Sequence, residues 1–205
     1  VDAAGKELLH RLELAGFNLD DMQIDDVHPT GSVKVKLDKG GAPQFDIISE
    51  VAYDYIAFIT EYHANLVDEA RIIYFGSLVQ RTGSGYKNVQ AFISRNASKK
   101  LNFYDINLRP DCYNTDIIEK SLFKTNILKL STGELEELKQ MRSLKMENEQ
   151  FVHYLMETHS IQTVSLTKGG QGSELFTNQG SFSADSADVI KVVDSVGAGD
   201  AYAAM

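Results

Sequence analysis

Four short stretches carry the residues that could do chemistry, and the last of them is the densest. "DSVGAGDAY" (194–202) sets Asp194 and Asp200 on either side of Gly197-Ala198-Gly199. Glycines let a backbone approach a ligand and turn its N–H groups inward, and the start of a following helix adds partial positive charge. Such a turn suits a phosphate or a developing oxyanion. Asp200 at its lip is placed to take a proton from an attacking hydroxyl. A plain strand-to-helix turn would also need glycine, but it would not need an aspartate at each end. Upstream, "DINLRP" offers Asp105, Asn107 and Arg109, and "KLSTGE" offers Ser131 and Glu134. "TKGGQGS" offers Thr167, Gly169, Gly170 and Gly172, which could cradle phosphates or merely join two strands.

Rival phosphate motifs are absent. There is no GxxxxGK[ST], and Tyr202 stands where a dinucleotide fingerprint starting at Gly197 needs Gly or Ala. The protein-kinase catalytic set is missing as well. "RTGSGYKN" (81–88) reads as a turn. The histidines at 10, 28, 63, 153 and 159 are scattered, without metal-ligand spacing.

These groups need a scaffold that brings distant segments together. "KELLHRLELAG" spaces Leu8, Leu9, Leu12 and Ala15 helically before Gly16. "GSVKVKLD" then alternates Val33, Val35 and Leu37 with polar residues, and an apolar run follows "KGGAPQ". Residues 20 to about 50 therefore read as a small, half-exposed β-layer, a hairpin over 31–48 with a third strand from "DMQIDDV". From about 60 the rhythm changes. Apolar runs at 71–76, 100–108, 126–131, 161–166, 172–177 and 188–194 read as strands. Between them, helices are expected through Val89, Phe92 and Ile93, over 132–141 with Thr132 as cap, and over 148–159. Strands alternating with helices predict a mostly parallel sheet covered on both faces, with ligands outside the carboxyl ends of its strands. Several candidate residues fall at or just after the ends of predicted strands, so one convergent rim is expected.

Composition agrees. The 205 residues are 43% hydrophobic and 24% charged, which is enough to build a core. A net charge of −9 argues against a nucleic-acid or anionic-membrane partner. No stretch approaches the roughly 20 apolar residues of a membrane span. The single Cys112 cannot pair within the chain, which fits a reducing compartment such as the cytoplasm. Both ends read as cut, since a helix begins almost at Val1 and another is barely started at Met205.

The order "DINLRP", "KLSTGE", "TKGGQG" and "DSVGAGDAY", with its intervening lengths, resembles the PfkB/ribokinase family of carbohydrate kinases, and the last stretch matches that family's signature D-[ST]-x-G-A-G-D-x-[FY]. "HPTGSVKVKLDKGGAPQFDIISEVAYDYI" and "DINLRPDCY" resemble bacterial fructokinases in particular. The resemblance implies an α/β, ribokinase-like three-layer α/β/α core at 1–19 and 50–205 and a β-sheet lid at 20–49. It implies an ATP-dependent sugar kinase acting on a hexose, fructose first, with 2-keto-3-deoxygluconate or nucleoside kinases and a non-catalytic sugar- or nucleotide-binding regulator as alternatives. Asp200 would be the general base and the Gly197, Ala198 and Gly199 backbone the anion hole. Asn107 and Arg109 would face the sugar or the moving phosphate, although Arg109 could instead fix its loop by an ion pair. Lys129 and Ser131, and Thr167 with Gly169, Gly170 and Gly172, would serve the nucleotide. Glu134 would organise Mg²⁺ through water, with Ser131 replacing the family's usual Asn. Asp194 and the Val196 backbone match a K⁺ site of some members. Asp105 would be structural. "GGAP" (40–43) copies part of the family's N-terminal signature at the wrong position and reads as the hairpin turn. That signature and the adenine-walling C-terminal segment are missing, so this piece alone is expected to be inactive. A homodimer through the lid is implied too.

Overall fold

The computed structural model describes residues 1–20, 22–37, 43–57, 60–95, 100–186 and 196–205, with only the backbone at 37, 43–45 and 60–63. In chain order the elements are α1 (Ala3–Leu14), β1 (Val33–Leu37), β2 (Pro43–Ile47), α2 (Thr60–Glu69), β3 (Ile72–Gly76), α3 (Gly83–Arg95), β4 (Leu101–Asp105), α4 (Thr115–Leu122), β5 (Ile127–Ser131), α5 (Thr132–Met141), α6 (Asn148–His159), β6 (Thr163–Thr167), β7 (Ser173–Thr177), β8 (Gly180–Ala184) and α7 (Ala198–Ala204). A six-stranded sheet runs β3-β4-β5-β6-β7-β8. Its β3 to β6 are parallel, and β7 and β8 return antiparallel. The mostly parallel α/β sheet expected from the sequence is therefore present.

Alternation along the strands decides which residues form the core. Phe75, Tyr104, Leu128, Leu130, Val164, Leu166 and Phe176 join one buried cluster. Helices α3 to α6 add Val89, Ile93, Ile118, Leu122, Leu135, Leu138, Phe151 and Leu155 to the same cluster. Burying each such side chain contributes about 1.5–3 kcal/mol, so this face holds the sheet in place. The opposite face is different. The pairing register aligns Gly76, Asp105, Lys129 and Ser165 in one cross-strand row, a polar row where a buried parallel sheet usually carries Val or Leu.

β1 and β2 pair antiparallel from Val33↔Ile47 to Leu37↔Pro43, which bears out the expected hairpin. Its turn, including Gly40 and Gly41, lies outside the described residues. Val33 and Val35 stay half exposed. The third strand is not formed over 22–27, because Asp25 accepts hydrogen bonds from the backbone N–H of Val27 and His28 and turns the chain there. Two further expectations are corrected. Residues 83–88 are the first turns of α3 rather than a loop. The cap of α5 is Ser131, not Thr132, because Ser131 and Glu134 close a reciprocal capping box that Thr132 cannot make. The short α2 and α4, and β8, went unseen. Asn114 caps α4 through the Ile117 N–H, a signal the sequence did carry.

The turn after β6 depends on glycine. Gly172 sits at φ +91°, and a Cβ there would stand 2.0 Å from the Ala184 carbonyl oxygen. Gly172→Ala should destabilise the fold by about 2–3 kcal/mol, combining positive-φ strain with overpacking against β8. Thermal unfolding checks this: a Tm lower by about 5 °C or more is expected, and an unchanged Tm would refute the close approach.

Candidate active site

The polar row explains itself once α7 is placed. Asp105 and Lys129 are cross-strand neighbours near the carboxyl ends of β4 and β5. Lys129 Nζ donates to both Asp105 oxygens, at 3.0 and 2.9 Å, and the two side chains are 8% and 1% exposed. Tyr74, two residues before Gly76 and so on the same face, donates to Asp105 Oδ2 at 3.0 Å. Burial pushes the Asp105 carboxyl up from its ordinary pKa, against the pull of Lys129 and Tyr74. Burial and the Asp105 charge also raise the Tyr74 phenol, so it remains a donor at neutral pH.

α7 lies on this row. A Cβ on Gly199 would stand 3.2 Å from Lys129 Nζ, so the glycine lets the helix start settle onto the ammonium. Tyr202 Oη and Ser165 Oγ lie 2.9 Å apart, the next contact along the row. Gly197 adopts φ +78°, ψ −2° and caps the helix. A left-handed residue followed by helical ones gathers successive backbone N–H groups into a concavity that suits an anion. Asp200 is exposed, and its charge is felt at Tyr74. The motif therefore stands over a buried cation, with its carboxylate turned to solvent. Asp194 lies outside the described residues, as does the predicted strand at 188–194. Val196 is exposed beside the turn.

Other strand ends meet the same rim. Glu134 Oε2 accepts from Ser131 N at 2.7 Å and Ser131 Oγ at 2.8 Å, and Oε1 accepts from Leu108 N at 2.9 Å. The carboxylate thus braces the β4 loop against β5, leaving Oε1 one open lone pair. Asn107 is held at φ +37°, an unusual conformation for a non-glycine residue that sets the direction of this loop. Arg109 is exposed, and its Nη1 donates to the Leu108 carbonyl at 3.2 Å. The ion pair considered for Arg109 is not formed among the described residues.

Thr167 ends β6, its Oγ1 donating to Leu130 O at 3.4 Å. The Lys168–Gly172 turn does join two strands, since β7 pairs antiparallel with β6. Lys168 N donates to Gly172 O, and Gly172 N donates to Gly169 O. Gly169 and Gly170 head a short 3-10 turn, so their own N–H groups have no acceptor within it. The two roles weighed for this stretch are compatible.

Among the described residues, no three His, Cys, Asp or Glu side chains gather to hold a metal, and no helix is long and apolar enough to cross a membrane. Tyr74, Ser165 and Tyr202 were missed from the sequence. Strand register puts Tyr74 and Ser165 on the Lys129 face, and α7 brings Tyr202 to Ser165.

The sequence model of the pfkB family of carbohydrate kinases matches residues 1–205. An uncharacterized sugar kinase of Pyrococcus horikoshii is 27% identical over 99% of this chain and 62% of its own length. The crystal structure of that protein superimposes with a TM-score of 0.79. A fructokinase of Salmonella typhimurium is 25% identical over 99% of this chain and 66% of its own length. A fructokinase of Xylella fastidiosa with bound ATP is 20% identical over 98% of this chain and 63% of that one, with a TM-score of 0.84, a likeness of fold. The chain spans less than two thirds of the length of these relatives.

Proposed function

Because the chain belongs to the pfkB family of carbohydrate kinases, we propose that its parent protein transfers the terminal phosphoryl group of ATP to a hydroxyl of a hexose, fructose first. The observation that carries this reading is the Gly197–Asp200 turn seated on the buried Lys129–Asp105 pair at the strand ends. Phosphoryl transfer asks a protein mainly for positioning and charge stabilisation. Asp200 accepts the proton of the attacking hydroxyl. The backbone of Gly197, Ala198 and Gly199 stabilises the moving phosphoryl oxygens, with Lys129 beneath them adding positive charge. Gly169, Gly170 and Gly172, with Thr167, take the nucleotide phosphates, and Ser131 holds the start of α5 beside them.

ATP arrives with Mg²⁺, which neutralises phosphate charge; the open lone pair on Glu134 suits an ordered water of that ion. Asp194 and the Val196 carbonyl are proposed to hold K⁺. Residues 20–49 act as a lid that excludes water, and the exposed Val33 and Val35 suit pairing of two lids in a dimer. The single Cys112 suits a cytoplasmic enzyme, and the acidic net charge suits one without nucleic-acid or membrane partners.

The exposed Arg109 favours a second reading, in which the substrate is an acid such as 2-keto-3-deoxygluconate. ADP release by the full-length protein with fructose and with 2-keto-3-deoxygluconate separates the two. For fructose, Arg109→Gln should raise KM about tenfold or less. For an acid substrate it should cost about 10²-fold or more in kcat/KM, because a charge-assisted pair is lost. If Arg109→Gln changes neither substrate, Arg109 has no part in recognition.

A further inference from the structure

Outside the site, the most densely bonded side chain of the lid root is Arg81, which follows a 3-10 turn at Leu78–Gln80. Its Nε and Nη2 grip the two oxygens of Asp54 at 2.6 and 2.7 Å, and the side chains are 8% and 0% exposed. Burial alone would raise the Asp54 carboxyl; the Arg81 fork and the Val51 N–H outweigh it and hold it low. The remaining Arg81 contacts go elsewhere. Nη2 also donates to the Ile48 carbonyl at 2.6 Å, one residue beyond β2. Nη1 points to Cys112 Sγ at 3.7 Å. The guanidinium carbon stands 5.2 Å from the Tyr53 ring centre.

The contacts reach different segments of the chain. Ile48 is the outgoing limb of the lid hairpin. Tyr53 meets the incoming limb, because a Cβ on Gly31 would stand 2.3 Å from Tyr53 Cε1. The two limbs are tied together by Ala52 N donating to Pro29 O at 2.8 Å and Ile48 N donating to Ser32 O at 3.2 Å. Cys112 belongs to the loop after β4 and is buried, and its N–H donates to Arg109 O at 3.0 Å. One planar fork therefore touches both limbs of the lid, directly or through one ring, and the loop that carries Asn107 and Arg109. A lysine could satisfy only part of this set, since its ammonium is a point donor.

We infer that Arg81 is a positioning residue that couples the lid to the Asn107–Cys112 loop, through Ile48 and Tyr53 on one side and Cys112 on the other. In the sugar-kinase reading, on which this consequence rests, lid closure then sets the loop that faces the sugar. Substrate positioning and water exclusion become one event.

The test is backbone hydrogen exchange in the full-length protein without substrate, for Arg81→Lys and for Gly31→Ala. The second variant leaves the Arg81–Asp54 pair intact and pushes only on the Tyr53 ring from the lid side. Both should speed exchange about tenfold or more at 33–37, 43–47 and 107–112, while α5 and α6 keep the parent's protection. Loop acceleration in Gly31→Ala is the decisive result, because position 31 does not touch the loop. Acceleration of the lid alone in Gly31→Ala would overturn the coupling. Equal acceleration of α5 and α6 in both variants would overturn it too, reducing Arg81 to general support. Once a sugar that supports ADP release is identified, Arg81→Lys should raise KM for that sugar about tenfold, leave KM for ATP within about twofold, and increase ATP hydrolysis without sugar. If no sugar supports ADP release, the kinase reading fails, while the exchange pattern still decides the linkage.

Discussion

Asp200→Asn in the full-length protein is expected to lower kcat by about 10³-fold while leaving KM for sugar and for ATP within about threefold, the range a lost general base produces. The substitution keeps size and hydrogen-bonding reach but removes the carboxylate proposed to accept the proton. Asp200 is exposed and takes no hydrogen bond or ion pair among the described residues, so the fold has little to lose. An unchanged thermal transition with collapsed turnover is therefore the pattern to look for in ADP release. A kcat near that of the parent would remove Asp200 from the base role. A parallel fall in stability would mean that the carboxylate holds α7 in place instead.

Lys129→Met should be the most destabilising single change at the site. It leaves Asp105, 1% exposed, with Tyr74 as its remaining side-chain partner. Stranding one member of a buried pair costs about 3–5 kcal/mol, which is about 10 °C in Tm for a chain of this size. The same variant removes the ammonium beneath Gly199, so a loss of activity alone would not say which effect is responsible. Adding Asp105→Asn separates them. The double variant buries no unpaired charge and should recover most of the stability, whereas phosphoryl transfer should stay low because the cation under the turn is still missing. Transfer restored together with stability would show that Lys129 serves only Asp105.

Much of this arrangement was legible in the sequence because turn chemistry is local. The Gly197–Gly199 stretch, the glycines after β6 and the Val33–Leu37 alternation announce themselves within a few residues. The existence of β3 to β7 followed from apolar runs only a few residues long. What escaped was set by register. Nothing near Lys129 in the sequence says that its partner is Asp105, that Ser165 lies in the same cross-strand row or that Tyr74 shares the face; the parallel pairing of β3 to β6 brings them together. The assignment of the α5 cap to Thr132 failed for a related reason. Thr132 and Ser131 are equally good cap residues by type, and only the reach of Glu134 back to the Ser131 N–H decides between them. The expected third strand was lost to a side chain that competes with the sheet, Asp25, which accepts hydrogen bonds from the Val27 and His28 N–H groups.

The central claim is that the turn over Lys129 receives a phosphoryl group bound for a sugar hydroxyl activated by Asp200. Phosphorus NMR of the full-length protein with Mg-ATP and a panel of sugars, with Asp200→Asn run alongside, tests it most directly. The expected result is ADP and one new sugar phosphate ester appearing together for the parent and not for the variant. Folded parent protein that binds ATP yet forms no ester with any sugar, or an Asp200→Asn protein that forms it at the parent's rate, would contradict the claim.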